Sequence, residues 1–282
     1  MGPARVSTLE VPGATLHYEV WGAGPLLLII PGMPADAGLY AGLARRLAGS
    51  FTVVAYDPRG MSRSRLDGPA TDQLVEVHAD DARRVLEAAG GGPAHVLTDS
   101  ISGLVGLRLA ATEPERVRTL VAFEPPVTEI LPDRQRWRAF YDELESTYRT
   151  QGLYPALQRF GEAAGLGAGD PDAPDPDPEV AAAMASIDRN LEFWLAHAVR
   201  PSFMGYAPDI TTLAAGPVRV VVAVGDASTP DQVAYRASQA LAEQLGTTPV
   251  TVPGDHDAVT RRPEEFAERL RRLLAPAGGG GS

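Results

Sequence analysis

The apolar positions of this chain switch repeatedly between two periods. Ala14–Trp21 alternates apolar and polar residues, the pattern of a half-exposed strand. Residues 25–30 form an unbroken apolar run closed by Pro31-Gly32, which predicts a strand buried on both faces and stopped by a turn. Residues 39–47 read as a short helix and 51–56 as the next strand, cut at Asp57-Pro58. Over 73–89 the residues Leu74, Val77, Ala82, Val85, Leu86 and Ala89 recur at helical spacing, and Gly90-Gly91-Gly92 ends them as a glycine-rich C-cap. A strand over 94–97, an apolar helix over 103–111 and a strand over Val117–Phe123 complete this first rhythm.

From Glu124 to about Pro208 the strand-like runs stop. Residues 134–150 and 187–199 read as helices. Between them, residues 165–178 (GLGAGDPDAPDPDP) hold too much Pro, Asp and Gly to offset the entropy of ordering, and predict a mobile loop. The rhythm then returns, with strands over 218–224 and 248–252 and helices over 230–245 and 264–274. Such alternation with short connections predicts an α/β fold, a doubly wound and mostly parallel sheet with helices on both faces. The expected organisation is a core domain from residues 1–124 and 209–276, an inserted helical lid over 125–208, and a Gly-rich linker tail over 277–282.

Composition narrows the chemistry. The 282 residues are 44% apolar, ample for a large buried core. There is no Cys, which removes disulfides, thiolate metal sites and thiol nucleophiles together. All 25 basic residues are Arg, so a Schiff-base lysine, a P-loop lysine and a kinase lysine are absent as well. Against 36 acidic residues they leave a net charge of −11, which argues against nucleic-acid or anionic-membrane partners. No apolar run approaches the roughly 18–20 residues of a bilayer-spanning helix. The opening Met-Gly-Pro-Ala-Arg-Val lacks the apolar core of a signal peptide, and the expected location is cytoplasmic. Covalent chemistry falls to Ser, Thr, Asp, Glu, His or Tyr. The expected partner is a small-molecule substrate, with no cofactor and no metal; homodimer formation is left open.

The strand over 94–97 runs into Thr98-Asp99-Ser100-Ile101-Ser102-Gly103 and at once into a helix. A nucleophile on so sharp a strand–turn–helix has small residues two before and two after it, because the strained backbone leaves no room for bulk. Ser100 meets this with Thr98 and Ser102, although the usual flanks are Gly; the rival Asp99 would set branched Ile101 at plus two. An ordinary turn with a Ser helix cap is the bland alternative. Three further segments sharpen the picture. The stretch from Asp57 to Ser64 (DPRGMSRS) resembles the D-x-R-G-x-G-x-S loop of α/β-hydrolase fold proteins. Pro31-Gly32-Met33-Pro34 resembles their H-G-x-P oxyanion loop, with Pro31 in place of His. Residues 252–257 (VPGDHD) resemble the loop after their last strand, which carries the catalytic His. With these motifs in family order, the chain resembles the α/β-hydrolase fold superfamily over nearly its whole length. The Arg-rich, Lys-free composition suits an actinobacterial-type member. The resemblance implies a sheet of about eight strands and says little about substrate.

Of five His residues, His17, His78, His95 and His197 fall inside predicted strands or helices and read as structural or surface residues. His256 follows a strand near the end of the sheet rhythm, where a general base can reach a nucleophile at the carboxyl edge. The acid departs from the family pattern, which sets Asp three residues after the Gly that ends the seventh strand. Here that position holds Ser228. Two carboxylates could substitute: Asp226, two residues early, and Glu124, at the end of the preceding strand before Pro125-Pro126. Glu124 is the favoured acid, because a carboxylate closing an apolar strand and held by two prolines is poorly explained as a surface charge.

The resulting expectation is a serine hydrolase in which Ser100 attacks an acyl carbon, His256 takes its proton and Glu124 orients the imidazole. Backbone N–H groups of Met33 and Ile101 would meet the oxyanion. Met33, Ile101, Phe123, Trp194 and Phe203 would form an apolar pocket for an ester, thioester or lactone. Pro31, Thr98, Ser102 and Ser228 depart from the family pattern and keep two rivals in view. One is a non-hydrolytic enzyme on the same fold, such as a cyclase, lyase or cofactor-free oxygenase or haloperoxidase. The other is a catalytically silent ligand receptor, which predicts a broken Ser–His–acid geometry.

Overall fold

The computed structural model describes residues 4–166 and 187–275. Apart from Gly165 and Leu166, the loop expected over 165–178 lies outside the described residues, as does the tail over 277–282.

One sheet holds nine strands: β1 (Arg5–Val11), β2 (Ala14–Trp21), β3 (Leu26–Ile30), β4 (Thr52–Tyr56), β5 (Arg65–Leu66), β6 (Ala94–Asp99), β7 (Val117–Phe123), β8 (Arg219–Gly225) and β9 (Val250–Val252). Eight of them run in the order β1-β2-β4-β3-β6-β7-β8-β9, and two-residue β5 pairs with β2 beside this path. β1, β2 and β4 pair antiparallel; from β4 through β3 to β9 every pairing is parallel.

The solid apolar runs explain this burial. In β3, Leu28 and Ile30 join one core cluster while Leu27 and Ile29 join a second. Leu120 and Ala122 of β7 likewise face one way, Val121 and Phe123 the other. Successive strand residues point to opposite faces, so a strand covered on both sides is apolar throughout. Helices α2 (Val75–Ala88) and α3 (Ser102–Thr112) cover the first face; α1 (Ala41–Leu47) and the final helix Pro263–Leu274 cover the second. β1 carries no such signal because it is an edge strand with most of its residues exposed.

Between β7 and β8 the described residues contain no strand. They form α4 (Arg134–Gln151), α5 (Leu153–Ala164), a helix over Ile187–Phe193 that widens into a π-helical turn over Trp194–Ala198, and the short helices Pro201–Met204 and Ile210–Ala215. α5 fully buries Ala156 and Ala164 and packs Leu153, Leu157 and Phe160 partly against the core, an i, i+3, i+4, i+7 spacing that the sequence displays. The parallel strands all end at one edge of the sheet, and the loops leaving Ile30, Asp99, Phe123, Gly225 and Val252 converge there. In open α/β sheets that carboxyl edge is where ligands bind.

Candidate active site

Ser100 sits at the turn between β6 and α3 with φ 54°, a left-handed conformation that costs a non-glycine residue energy. Its N–H donates to the Phe123 carbonyl at 2.9 Å, which ties the turn to β7. The two missing glycines have local explanations. Ser102 is buried, and its hydroxyl donates to the Ile30 carbonyl at 2.7 Å while accepting the Asp99 N–H at 2.9 Å. Thr98 is buried against Gly106, where an added Cβ would lie 2.4 Å from the Thr98 methyl. The room normally made by glycine in the strand is made here by glycine one turn into the helix.

Glu124 directly follows β7 with φ 46° and is fully buried. Its N–H donates to Ala223 at 2.9 Å, and one carboxylate oxygen accepts the Gly225 N–H at 2.9 Å. The other oxygen lies 2.6 Å from Nδ1 of His256, and Nε2 of His256 lies 3.1 Å from the Ser100 hydroxyl. A carboxylate only accepts, so Nδ1 carries the proton donated to Glu124, and in the neutral imidazole Nε2 is left to accept from Ser100. Asp226 points elsewhere: it accepts the Gly254 N–H at 2.8 Å and fastens the His256 loop to the end of β8. The loop sits so close that a Cβ on Gly225 would lie 2.3 Å from the Gly254 carbonyl oxygen.

The electrostatics follow the contacts. Burial pushes the His256 imidazolium down, but the hydrogen-bonded Glu124 charge, with Asp99 and Asp257 behind it, lifts it to about 9. Burial opposes the charge on Glu124, yet His256 and the Gly225 N–H together hold its carboxyl below the usual range. Asp99 is pushed up to about 6 by burial, against the lowering effects of His256 and the Tyr40 hydroxyl. Tyr40 donates to Asp99 at 2.7 Å and accepts the Gly32 N–H at 2.9 Å. Met33 and Ile101 are buried beside Ser100, and among the described residues neither backbone N–H donates to another group.

A cavity of about 410 Å³ opens over Ser100 and His256. Of the residues singled out in the sequence, Met33, Ile101 and Trp194 line it, but Phe123 and Phe203 do not. Strand alternation turns Phe123 to the opposite face, edge-on to Phe266 with ring centres 5.3 Å apart. Phe203 packs edge-on to His78 of α2 at 5.5 Å, and its helical neighbour Met204 lines the cavity instead. Adjacent helix positions point about 100° apart, so one of the two faces away. Sequence reading passed over Trp137, Tyr141 and Phe160, which also line the cavity. Trp137 and Tyr141 stand at i and i+4 on α4, a one-face spacing that the sequence displays. The helical segment between β7 and β8 therefore supplies most of the aromatic wall.

Known proteins agree with this architecture. Residues 25–256 match the family model described as alpha/beta hydrolase fold. The chain is 32% identical over 273 residues to the uncharacterized hydrolase YraK of Bacillus subtilis (strain 168), covering 95% of each chain. A thermophilic esterase from Thermogutta terrifontis superposes with a TM-score of 0.72 at 20% identity, over 97% of this chain and 98% of that one. The enol-lactonase from Burkholderia xenovorans LB400 gives 0.70 at 18% identity, over 95% and 99%. Among the described residues no helix is long and apolar enough to cross a membrane. From the sheet order, the loops gathered at its carboxyl edge and these likenesses together, the chain belongs to the α/β-hydrolase fold family and is a hydrolase.

Proposed function

We propose that this chain is a serine hydrolase that cleaves an ester, thioester or lactone bond in a small, fairly apolar substrate, with Ser100, His256 and Glu124 as its triad. The observation that carries the reading is the continuous contact from Ser100 Oγ through His256 to the buried Glu124. The Ser100 oxygen attacks the acyl carbon as its proton passes to Nε2, and Glu124 keeps the imidazole in the accepting tautomer and compensates the imidazolium. The N–H groups of Met33 and Ile101 receive the oxyanion. Collapse of the tetrahedral intermediate expels the alcohol, thiol or hydroxyl end, which takes the proton from His256. Water, activated by the same imidazole, then releases the acid and restores Ser100.

The apolar cavity, with its aromatic side from residues 125–208, gives the substrate its size and polarity and makes that segment a lid. The chain acts in the cytoplasm on a small molecule. The contacts of 3.1 Å and 2.6 Å count against the silent receptor, which would have no cause to keep them.

Fluorophosphonate labelling followed by peptide mass spectrometry tests the reading. The expected adduct lies on Ser100. Ser100→Ala should abolish it and lower turnover of p-nitrophenyl butyrate by about 10⁴-fold or more. If Ser100→Ala keeps wild-type kcat while His256→Ala loses it, His256 acts as a lone base and the non-hydrolytic reading replaces this one.

A further inference from the structure

The oxyanion loop is held by two side chains at its two ends. At Gly32, the N–H donates to the Tyr40 hydroxyl at 2.9 Å, and a turn bond from the Ala35 N–H to the Gly32 carbonyl closes the loop at 2.8 Å. At Pro34 there is no N–H to pin, so only the carbonyl offers a handle. That carbonyl accepts from Nδ2 of Asn190 at 2.9 Å. Asn190 belongs to the helix Ile187–Phe193, 156 residues away in sequence, and is itself buried.

The rest of the Asn190 amide is equally committed. Its oxygen accepts the Ser62 N–H at 2.9 Å, and its Nδ2 also donates to the Ser62 hydroxyl at 2.8 Å. Ser62 has φ 48°, one of three non-glycine residues with positive φ among the described residues; the others are Ser100 and Glu124. The Ser62 hydroxyl donates onward to Asp36 at 2.6 Å, whose carboxylate accepts the Gly38 and Leu39 N–H groups. One buried amide thus joins the helical segment, the loop after β4 and the oxyanion loop.

We propose that Asn190 is a positioning residue for the oxyanion hole: by holding the Pro34 carbonyl it fixes the direction of the adjacent Met33 N–H. The proposal rests on the serine hydrolase reading above. It follows from the loop's chemistry, since a segment between two pinned peptide units cannot rotate its middle N–H away from the site. With the Pro34 pin removed the donor survives but loses its fixed direction. The loss should therefore fall below that of deleting a donor outright, which is about 10²–10³ in kcat.

The test compares Asn190→Ala, isosteric Asn190→Asp and Ser62→Gly, with p-nitrophenyl butyrate as substrate and phenylboronic acid as a probe of the tetrahedral state. Asp removes the donor to Pro34 while keeping the acceptor for Ser62, and serves if Ala does not fold. Ser62→Gly removes the hydroxyl, suits the positive φ and leaves the Pro34 contact in place. The expected result is a fall in kcat of about 10- to 100-fold in both Asn190 variants with KM within about threefold, phenylboronic acid affinity weakening in step, and Ser62→Gly within about twofold of wild type. Unchanged kcat in whichever Asn190 variant folds, a change confined to KM, or an equal loss in Ser62→Gly would overturn the proposal. Retained activity in Ser100→Ala would instead overturn the hydrolase reading, so the two failures are distinct.

Discussion

Burial alone would hold the His256 imidazole neutral, but the Glu124 carboxylate at 2.6 Å outweighs it and raises the folded pKa to about 9. In the proposed mechanism His256 must be neutral to accept the Ser100 proton, so kcat/KM should climb with pH from neutrality towards about 9. In Glu124→Gln the burial remains and the opposing charge is gone, so this limb should move to lower pH while kcat falls about 10³–10⁴-fold. Asp226→Asn keeps an oxygen for the Gly254 N–H and should stay within about threefold of wild type. A pH–rate profile and kcat for both variants check this; the reverse ranking would move the acid to Asp226. The same shifts set stability. The raised His256 value stabilises the fold fully below about 6.5, and that contribution is lost as pH rises through about 9. The lowered Glu124 value acts oppositely: its contribution is present above 4.5 and is lost as pH falls through the folded value.

Within the elements, α3 shows how little space the turn around Ser100 leaves. A Cβ on Gly103 would lie 2.4 Å from Cβ and 3.1 Å from Cα of Pro125, the residue after Glu124. Alanine is the better helix former by about 0.5–1 kcal/mol, while overpacking against backbone costs about 1–3 kcal/mol. The steric cost wins. Gly103→Ala should lower stability by about 1–2 kcal/mol in denaturant titration and reduce kcat, because Pro125 cannot shift without moving Glu124. Element type was largely legible in the apolar period: the runs before Pro31 and Asp57 are β3 and β4, and the 73–89 spacing is α2. Among the elements that escaped, β1 lies exposed at the sheet edge and writes no period. α5 does carry a helical spacing in Leu153, Ala156, Leu157 and Phe160, legible in the sequence and passed over.

For the whole molecule, the cavity is a product of two separate stretches of chain. Ser100 and His256 come from the sheet, whereas Trp137, Tyr141, Phe160 and Trp194 come from the segment between β7 and β8. Trp194 stands edge-on to Phe160 with ring centres 4.9 Å apart. Trp194→Ala should cost about 3–5 kcal/mol of stability and enlarge the cavity. The acyl-chain optimum across a series of p-nitrophenyl esters should then shift to longer chains, and an unchanged optimum would remove Trp194 from the acyl site.

The sequence by itself determined the alternating rhythm of strands and helices, its break after Glu124, the small-residue turn around Ser100 and the loop bearing His256. These are local properties, written in residue size, period and turn chemistry. Only the tertiary structure set Glu124 rather than Asp226 against His256, because both carboxylates leave strand ends and their directions depend on β7 and β8 lying side by side. It likewise turned Phe123 and Phe203 away from the cavity and brought Asn190 onto Pro34. A residue's period tells which side of its own element it occupies; what stands opposite is set by how distant elements pack.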